Sequence, residues 1–125
     1  MNEVPPPSDI RLHLKSRTLE LVYDDGSFEL TAEFLRVHSP SAEVRGHGIG
    51  QGVLQHGKKH VGIKGVEPTG NYALKIIFDD GHDSGLYTWE YLYDLAHDRD
   101  AYWQRYLAEL EAAGKSRDDG LIARG

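Results

Sequence analysis

Residues 72–95 read YALKIIFDDGHDSGLYTWEYLYDL and contain, in this order, a strand pattern, a turn signal and a helix pattern. Apolar side chains alternate over residues 73–78, as in a half-buried strand. Asp80-Gly81 is a dipeptide that tight hairpin turns favour, because glycine readily adopts positive φ. From Thr88, a residue type that caps helices, the apolar period lengthens from two residues to that of a helix. The stretch therefore predicts a hairpin that leads directly into a short helix.

A second hairpin is predicted nearer the start of the chain. Apolar and polar residues alternate along residues 10–23 and again after residues 24–26, whose sequence Asp-Asp-Gly is also that of residues 79–81. Because this tripeptide is a common hairpin turn, its recurrence does not by itself indicate an internal repeat. The sequence therefore predicts two hairpins of an antiparallel sheet.

Short helices are predicted beside these hairpins. Thr31 can cap a helix over residues 32–37, which ends before Pro40 because a residue that precedes proline avoids the α conformation. A longer helix that starts at Asp98 or Asp100 carries aromatic and leucine side chains on one face. We expect this face to cover the sheet.

The predicted fold belongs to the α+β class, with a small antiparallel sheet of two hairpins, two to three short helices and a long glycine-rich loop. We expect an extended N-terminal segment over residues 1–9, one folded domain over residues 10–114 and a frayed polar tail over residues 115–125. A chain of 125 residues has the usual length of one domain and can bury a core without disulfides. Trp89 and Trp103 lie on apolar helix faces, and we expect them to anchor that core.

The composition argues against several classes of function. A formal net charge of −6 disfavours nonspecific binding to nucleic acid or to anionic membranes. The chain has no cysteine, which excludes disulfides, thiol catalysis and thiolate metal sites. Neither a signal peptide nor an apolar run near the roughly 20 residues that span a bilayer is found, and we expect a cytoplasmic protein.

Residues 43–71 form a glycine-rich, basic stretch with eight glycines and a charge of about +2, whereas the rest of the chain carries about −8. A loop of this length inside a small domain is functional or disordered. We expect residues 45–59 to be its mobile part and residues 61–66 to contain an edge strand. A basic loop on an acidic body predicts contact with an acidic partner protein.

The run GHGIGQG at residues 46–52 superficially resembles a phosphate-binding loop. Such loops follow a strand, open a helix and end in Gly-Lys-Ser/Thr, and none of these features is present. The Gly-x-Ser-x-Gly turn of many hydrolases is also missing. The sequence therefore has no catalytic signature, and an enzyme is the less favoured alternative.

Seven histidines are a high number for this length, and most lie in or beside the glycine-rich stretch and the turn at residues 79–81. Neutral imidazole is the most common metal ligand in proteins. His56 and His60 would share a face only on a helix, which Gly57 disfavours. Spacing alone therefore leaves a metal site and ordinary loop histidines as alternatives.

Several motifs together resemble the small bacterial proteins related to the N-terminal domain of gamma-butyrobetaine hydroxylase. They are EFLRVHSPSAEV at residues 33–44, GHG at 46–48, GNYAL at 70–74, DGHDSGLY at 80–87, and Trp89. The similarity covers roughly residues 10–96. It implies a small α+β domain on an antiparallel sheet, in agreement with the patterns above.

In the hydroxylase, this domain holds zinc through one histidine and three cysteines spaced Cys-x-Cys-x-x-Cys after a Leu-Arg pair. Aligning that pair places Ser39, Ser41 and Val44 at the cysteine positions and His82 at the histidine position. The resemblance therefore implies that the thiolate site is lost here while its histidine is kept.

His82 thus has two interpretations. As a metal ligand it would need a different set of partners, and we expect iron or zinc held by His82 with His38, His47 or Asp83, whose nitrogen and oxygen donors suit these metals. As a structural residue, His82 would instead hydrogen-bond within its turn. The sequence leaves both interpretations open.

The resemblance also bears on activity. The oxygenase chemistry of the hydroxylase lies in a separate domain with a two-histidine, one-carboxylate iron site, and this chain lacks that motif. A similar domain is also joined to plant P-loop ATPases that carry iron–sulfur clusters. The resemblance therefore implies a non-enzymatic accessory or binding module, with a metal site as an option, that meets a partner protein through the basic glycine-rich loop. A metal-dependent enzyme, or an accessory factor in iron–sulfur cluster delivery, is the alternative.

Overall fold

The computed structural model describes residues 4–41 and 53–119, which form an α+β domain of two antiparallel sheets and three helices. The strands are β1 (Asp9–His13), β2 (Thr18–Tyr23), β3 (Gly26–Thr31), β4 (Ile63–Thr69), β5 (Ala73–Phe78) and β6 (Leu86–Thr88). The helices are α1 (Ala32–Val37), α2 (Trp89–His97) and α3 (Arg99–Ala113). The predicted fold class is confirmed, and the strands divide into two sheets of three. Within the two described ranges, no helix is long and apolar enough to cross a membrane.

The first sheet has β2 at its centre, with β1 and β3 antiparallel on its two sides. Alternate side chains of β2 are buried, as the period-two pattern predicts. The turn at Asp24 and Asp25 joins β2 to β3, and Gly26 follows with a φ of 147°, which residues with a side chain rarely adopt. The Asp-Asp-Gly sequence therefore forms the tight hairpin expected of it.

The second sheet has β5 at its centre and β4 and β6 at its edges. β4 is the edge strand expected within residues 61–66, and it continues to Thr69. β6 pairs with only the first half of β5, opposite residues 73–75. The two strands are adjacent and antiparallel as predicted, but the loop between them is wider than a tight hairpin.

The turn after β5 explains this wider loop. Two hydrogen bonds close the turn, one from Phe78 N to His82 O at 3.0 Å and one from Gly81 N to Phe78 O at 3.3 Å. Gly81 has a φ of 92°, so the Asp80-Gly81 dipeptide does form a turn. The chain then leaves the ladder, and the side chain of His82 is buried in the interior.

Threonine side chains begin the first two helices, as the sequence predicts. Thr31 Oγ accepts a hydrogen bond from Phe34 N at 3.0 Å, and Thr88 Oγ accepts one from Tyr91 N at 3.2 Å. Asp98 precedes α3 without a side-chain capping bond. Both helices that the threonines cap therefore have one of their unpaired N–H groups satisfied.

Side chains from both sheets, α1 and α2 share one apolar core. Tyr106 and Leu110 of α3 form a smaller cluster with Val37 of α1. Trp89 and Trp103 are only partly buried against the main core. Trp89 donates its indole N–H to Asn71 O at 2.9 Å in an exposed position. Both tryptophans therefore pack against the core, as expected, but neither is fully buried in it.

The segment after α3 docks on the domain. Gly57 N donates to Ser116 O at 3.0 Å, and Lys59 N donates to Arg117 O at 3.1 Å. The guanidinium of Arg117 donates to both carboxylate oxygens of Glu33, at 2.9 and 2.7 Å. The prediction of a frayed tail is therefore wrong for Ser116 and Arg117, because these residues satisfy backbone groups that no sheet pairs.

The glycine-rich loop is only partly described. Residues 42–52 lie outside the described residues, and residues 53–59 contact α3 and the segment after it. Tyr106, for example, donates its hydroxyl to Gln55 O at 2.7 Å. The predicted mobility of residues 45–59 is not supported at Gly57 and Lys59, whose backbone N–H groups are hydrogen-bonded. For residues 45–52 it stays a prediction for amide hydrogen exchange.

Candidate functional site

Three residues that the resemblance aligns with metal ligands meet in the interior. His82 Nε2 lies 2.8 Å from Ser39 Oγ and 3.5 Å from Ser41 Oγ, and we refer to these three residues as the His82 cluster. Ser39 is fully buried, and Ser41 and His82 are 7% and 8% exposed. Ser39 Oγ also accepts a hydrogen bond from Ser41 N at 3.3 Å. The alignment of Ser39 and Ser41 with His82 thus agrees with their positions in space.

Local structure fixes each member of the cluster. Ser39 and Ser41 follow the end of α1 on either side of Pro40, which cannot continue a helix. His82 is turned inward because its turn closes at Phe78 rather than extending into β6. The cluster therefore depends on one helix end and one loop that are distant in sequence.

Gly85, directly before β6, and Tyr87, within β6, close the cluster on one side. A Cβ atom at Gly85 would lie 2.3 Å from Ser39 Oγ and 3.0 Å from Pro40 Cδ, so only glycine fits this position. Tyr87 is fully buried and donates its hydroxyl to Leu35 O at 2.5 Å. Burial raises the pKa of Tyr87 far above its usual value, which keeps this hydroxyl a donor.

A second polar group, the Asp80 cluster of Arg36, Lys58 and Asp80, ties the same turn to α1. Asp80 Oδ2 lies 2.9 Å from Arg36 Nε and 2.8 Å from Lys58 Nζ, and Asp80 Oδ1 accepts from His82 N at 3.2 Å. Only 8% of the Arg36 side chain is exposed. Burial raises the pKa of Asp80, but its bonds to Lys58, the His82 N–H and Arg36 outweigh this, and the pKa falls to about 2.

Of the other predicted ligands, His38 and Asp83 are described, and neither forms a hydrogen bond with the three residues of the cluster. His38 Nδ1 lies 2.8 Å from Phe34 O, and burial lowers the pKa of His38. A carbonyl oxygen can only accept, so His38 Nδ1 carries the proton of this bond. Asp83 is exposed at the surface, and His47 lies outside the described residues.

The residues of the His82 cluster do not fit a zinc or iron centre. Zinc and iron sites use thiolate, imidazole and carboxylate donors, whereas Ser39 and Ser41 offer neutral hydroxyls. The one imidazole nitrogen that faces them is already hydrogen-bonded to Ser39. Across residues 4–41 and 53–119, no group of three histidine, cysteine, aspartate or glutamate residues could hold a metal ion.

Sequence reasoning did not foresee the Asp80 cluster or the contact between Arg117 and Glu33. Arg36 and Asp80 are separated by 44 positions, and a single polar pair has no periodicity that would reveal it. A local signal was present only at Glu33, an acidic residue in the first turn of α1. Long-range ion pairs of this kind become visible only in three dimensions.

The architecture and the His82 cluster define a small α+β domain with a buried, hydrogen-bonded group of two serines and one histidine. The sequence profile described as gamma-butyrobetaine hydroxylase-like, N-terminal, matches residues 10–93. The chain belongs to this gamma-butyrobetaine hydroxylase-like N-terminal family. None of the curated proteins matches the sequence.

Solved structures support the same assignment. One solution NMR structure is 59% identical, with a TM-score of 0.83 and coverage of 98% of both chains. A second NMR structure is 47% identical, with a TM-score of 0.78 and coverage of 100% of this chain and 97% of the other. A crystal structure of a protein with unknown function from the DUF971 family of Acidithiobacillus ferrooxidans is 37% identical, with a TM-score of 0.61 and coverage of 77% and 98%.

The poor fit of the cluster to a metal leads to a prediction for metal titration. We expect the wild type and His82→Ala to take up iron(II) or zinc equally weakly. A variant that combines Ser39→Cys, Ser41→Cys and Val44→Cys should bind about one zinc ion per chain, because thiolates would then stand where the resemblance implies zinc ligands. Isothermal titration calorimetry and metal analysis of the purified proteins measure this.

Adding His82→Ala to the triple cysteine variant is the matched control, and it should weaken zinc binding strongly because one of four ligands is lost. Stoichiometric metal in the wild type that disappears in His82→Ala would instead establish His82 as a native ligand. That outcome would overturn the structural interpretation of the His82 cluster.

Proposed function

We propose that this chain is a non-enzymatic binding module that meets an acidic partner protein through its basic face. The observation that carries the proposal is that the His82 cluster is closed: Ser39 is fully buried and bonded to His82 within the domain. A buried, internally bonded cluster serves the fold, because no substrate can reach it. The function then depends on the surface.

A hydrolase is the nearest enzymatic alternative, because a serine and a histidine at 2.8 Å resemble a nucleophile and its base. The resemblance is limited to that distance. Ser39 has no exposed surface, and a Cβ at Gly85 would already collide with its hydroxyl, so no space for an acyl group exists beside it. The geometry therefore favours binding over catalysis.

The basic face consists of residues 53–64, which contain three lysines and no carboxylate in a chain of net charge −6. Lys58 is engaged with Asp80, whereas Lys59 and Lys64 are exposed. Val53 adds an apolar side chain that is 58% exposed. Two exposed cations and an exposed apolar residue within one segment suit an acidic protein surface with its own apolar contact.

The backbone of this face is held in place before any partner arrives. Gly57 and Lys59 donate to the segment after α3, and Val61 N donates to Lys58 O at 3.1 Å. A preorganised surface loses less conformational entropy on binding than a disordered one. This supports recognition by residues 53–64 even though residues 42–52 lie outside the described part.

Metal binding through residues beyond the described ones, a role in iron–sulfur cluster delivery, and a cytoplasmic location stay predictions. The metal titration above addresses the first of these. The described residues provide no specific observation that favours a metal-dependent enzyme.

Charge reversal tests the proposed face. We expect Lys59→Glu combined with Lys64→Glu to reduce recovery of an acidic partner at least tenfold in affinity capture with chemical cross-linking from the source cells, because like charges would then face each other. Recovery by the wild type should also fall as salt rises.

Lys15→Glu combined with Lys115→Glu is the matched control, since both lysines are exposed and lie outside the basic face. It makes the same change in net charge and should leave recovery unchanged. Equal losses in the two double variants would show that only overall charge matters, and the proposed face would be wrong.

A further inference from the structure

The segment that follows α3 brings two adjacent carboxylates to the basic face. Gly114 ends α3 with a φ of 68°, and Lys115 N donates to Leu110 O at 2.9 Å, so the chain turns back on itself. Residues 116–119, with the sequence Ser-Arg-Asp-Asp, then lie beside residues 56–59. We refer to residues 116–119 as the acidic segment.

Backbone contacts hold the acidic segment against the basic face. Gly57 N donates to Ser116 O at 3.0 Å, and Lys59 N donates to Arg117 O at 3.1 Å. A Cβ atom at Gly57, whose φ is 68°, would lie 2.1 Å from Asp119 O. Only glycine therefore permits the segment to approach this closely.

Arg117 anchors the acidic segment from outside the basic face. Its guanidinium donates to both carboxylate oxygens of Glu33 and lies 5.2 Å from the centre of the Trp103 ring. Only 6% of the Glu33 side chain is exposed, so salt screens this pair weakly. The charge of Arg117 is thus paired within the domain, and the segment presents its two aspartates to the basic face.

Both aspartates lie close to side chains of the basic face. Asp119 Oδ2 lies 3.1 Å from His56 Nδ1, and 36% of the Asp119 side chain is exposed. The pKa of Asp118 is lowered, first by hydrogen bonds from the Ser116 hydroxyl and from its own backbone N–H and then by the positive charges of Lys59 and Arg117. Because Asp118 and Lys59 are both exposed, a partner can reach them.

From these contacts we infer that Asp118 and Asp119 are internal competitors of the acidic partner. Their negative charges compensate Lys59 in the free domain, so the carboxylates of a partner gain less attraction there. Because the backbone holds the acidic segment in place, the two carboxylates act at the effective concentration of a tethered ligand. The hydrogen bonds from Gly57 and Lys59 to the segment remain, and the face stays preorganised. This inference rests on the proposed function.

Titration of the full chain with capped decaglutamate, followed through the amide chemical shifts of residues 53–64, tests the inference. This peptide presents the carboxylates of an acidic partner. We expect Asp118→Asn combined with Asp119→Asn to bind it about threefold more tightly than the wild type, or more. Ser116 N donates to Asp119 Oδ2 at 2.7 Å, and asparagine keeps an oxygen that accepts this bond, so the segment should stay docked.

Asp24→Asn combined with Asp94→Asn is the matched control, because it makes the same change in net charge at exposed residues outside the basic face. It should leave the affinity unchanged. In a Lys59→Gln background the gain from the asparagine substitutions at 118 and 119 should largely disappear, because the competition acts through Lys59. No gain in the wild-type background, or an equal gain in the control or in the Lys59→Gln background, would overturn the inference.

Lys59→Glu combined with Lys64→Glu separates the inference from the proposed function. If this variant binds decaglutamate as tightly as the wild type does, the basic face is not the binding surface, and the proposed function and the inference are both wrong. If it binds more weakly while the asparagine substitutions bring no gain, only the inference is wrong.

Discussion

Replacing Asp80 by asparagine should lower the free energy of unfolding by about 3 kcal/mol, because it leaves the guanidinium of Arg36 buried without its counterion. Only 8% of the Arg36 side chain is exposed, and its Nη1 already has no partner among the described residues. Lys58 loses the same partner, but 23% of its side chain is exposed and it can turn toward water. Urea denaturation of both proteins measures the loss, provided that the free energy of unfolding depends on urea concentration with a similar slope in both.

The same carboxylate predicts how stability depends on pH. The folded pKa of Asp80 is about 2, below its usual 3.8, so the contribution of Asp80 is fully present above pH 4. It should be lost as the pH falls from about 4 to about 2, because protonation then breaks the bonds to Arg36 and Lys58. Asp80→Asn should lack this part of the acid dependence.

Two further variants distinguish the effect of breaking the ion pair from the effect of losing a charge. Asp83→Asn changes the same charge on the same loop at an exposed residue, and it should cost close to nothing. Arg36→Met combined with Asp80→Asn should be more stable than Asp80→Asn alone, because no unpaired cation is then buried. A double variant less stable than the single one would contradict this explanation.

Gly85→Ala should cost about 2 kcal/mol or more, because its methyl group would overlap the closed side of the His82 cluster. The Cβ would lie 2.3 Å from Ser39 Oγ and 3.0 Å from Pro40 Cδ. Ser39 is fully buried and cannot turn to solvent, so relief requires that its hydrogen bond to His82 break. Denaturation gives the energy, and the NMR signals of the His82 ring report the broken bond.

Gly65→Ala is the matched control for this substitution. Gly65 lies in β4, has an ordinary φ, and a Cβ there would meet no atom within 4 Å. We expect a change within about 0.5 kcal/mol. If Gly85→Ala is equally mild, the packing around Ser39 is looser than the distances indicate.

Local features of the fold could be predicted from the sequence because their signals are local. The alternation along β2 and β5 and the caps at Thr31 and Thr88 depend on neighbouring residues. Burial depth is different, because a helical face shows which side of Trp103 points inward but not how far the neighbouring element covers it. For that reason the sequence predicted that the tryptophans contact the core but not that they remain partly exposed.

The candidate site could likewise be predicted from the sequence only in part. A resemblance placed Ser39 and Ser41 with His82, and the structure brings all three together. The partners of Arg36 and Glu33 could not be read from any pattern, because a polar pair across 44 or 84 positions is set by the completed fold.

The contact between Arg117 and Glu33 also has a consequence for synthesis of the chain. Translation produces α1 early, yet the counterion of Glu33 is encoded 84 residues later. Until Arg117 has left the ribosome, the Glu33 carboxylate, 6% exposed in the finished domain, cannot be buried with its charge paired. The domain therefore completes its folding only after the segment that contains Arg117 has been translated, and until then the surface beside α1 lacks the counterion of Glu33.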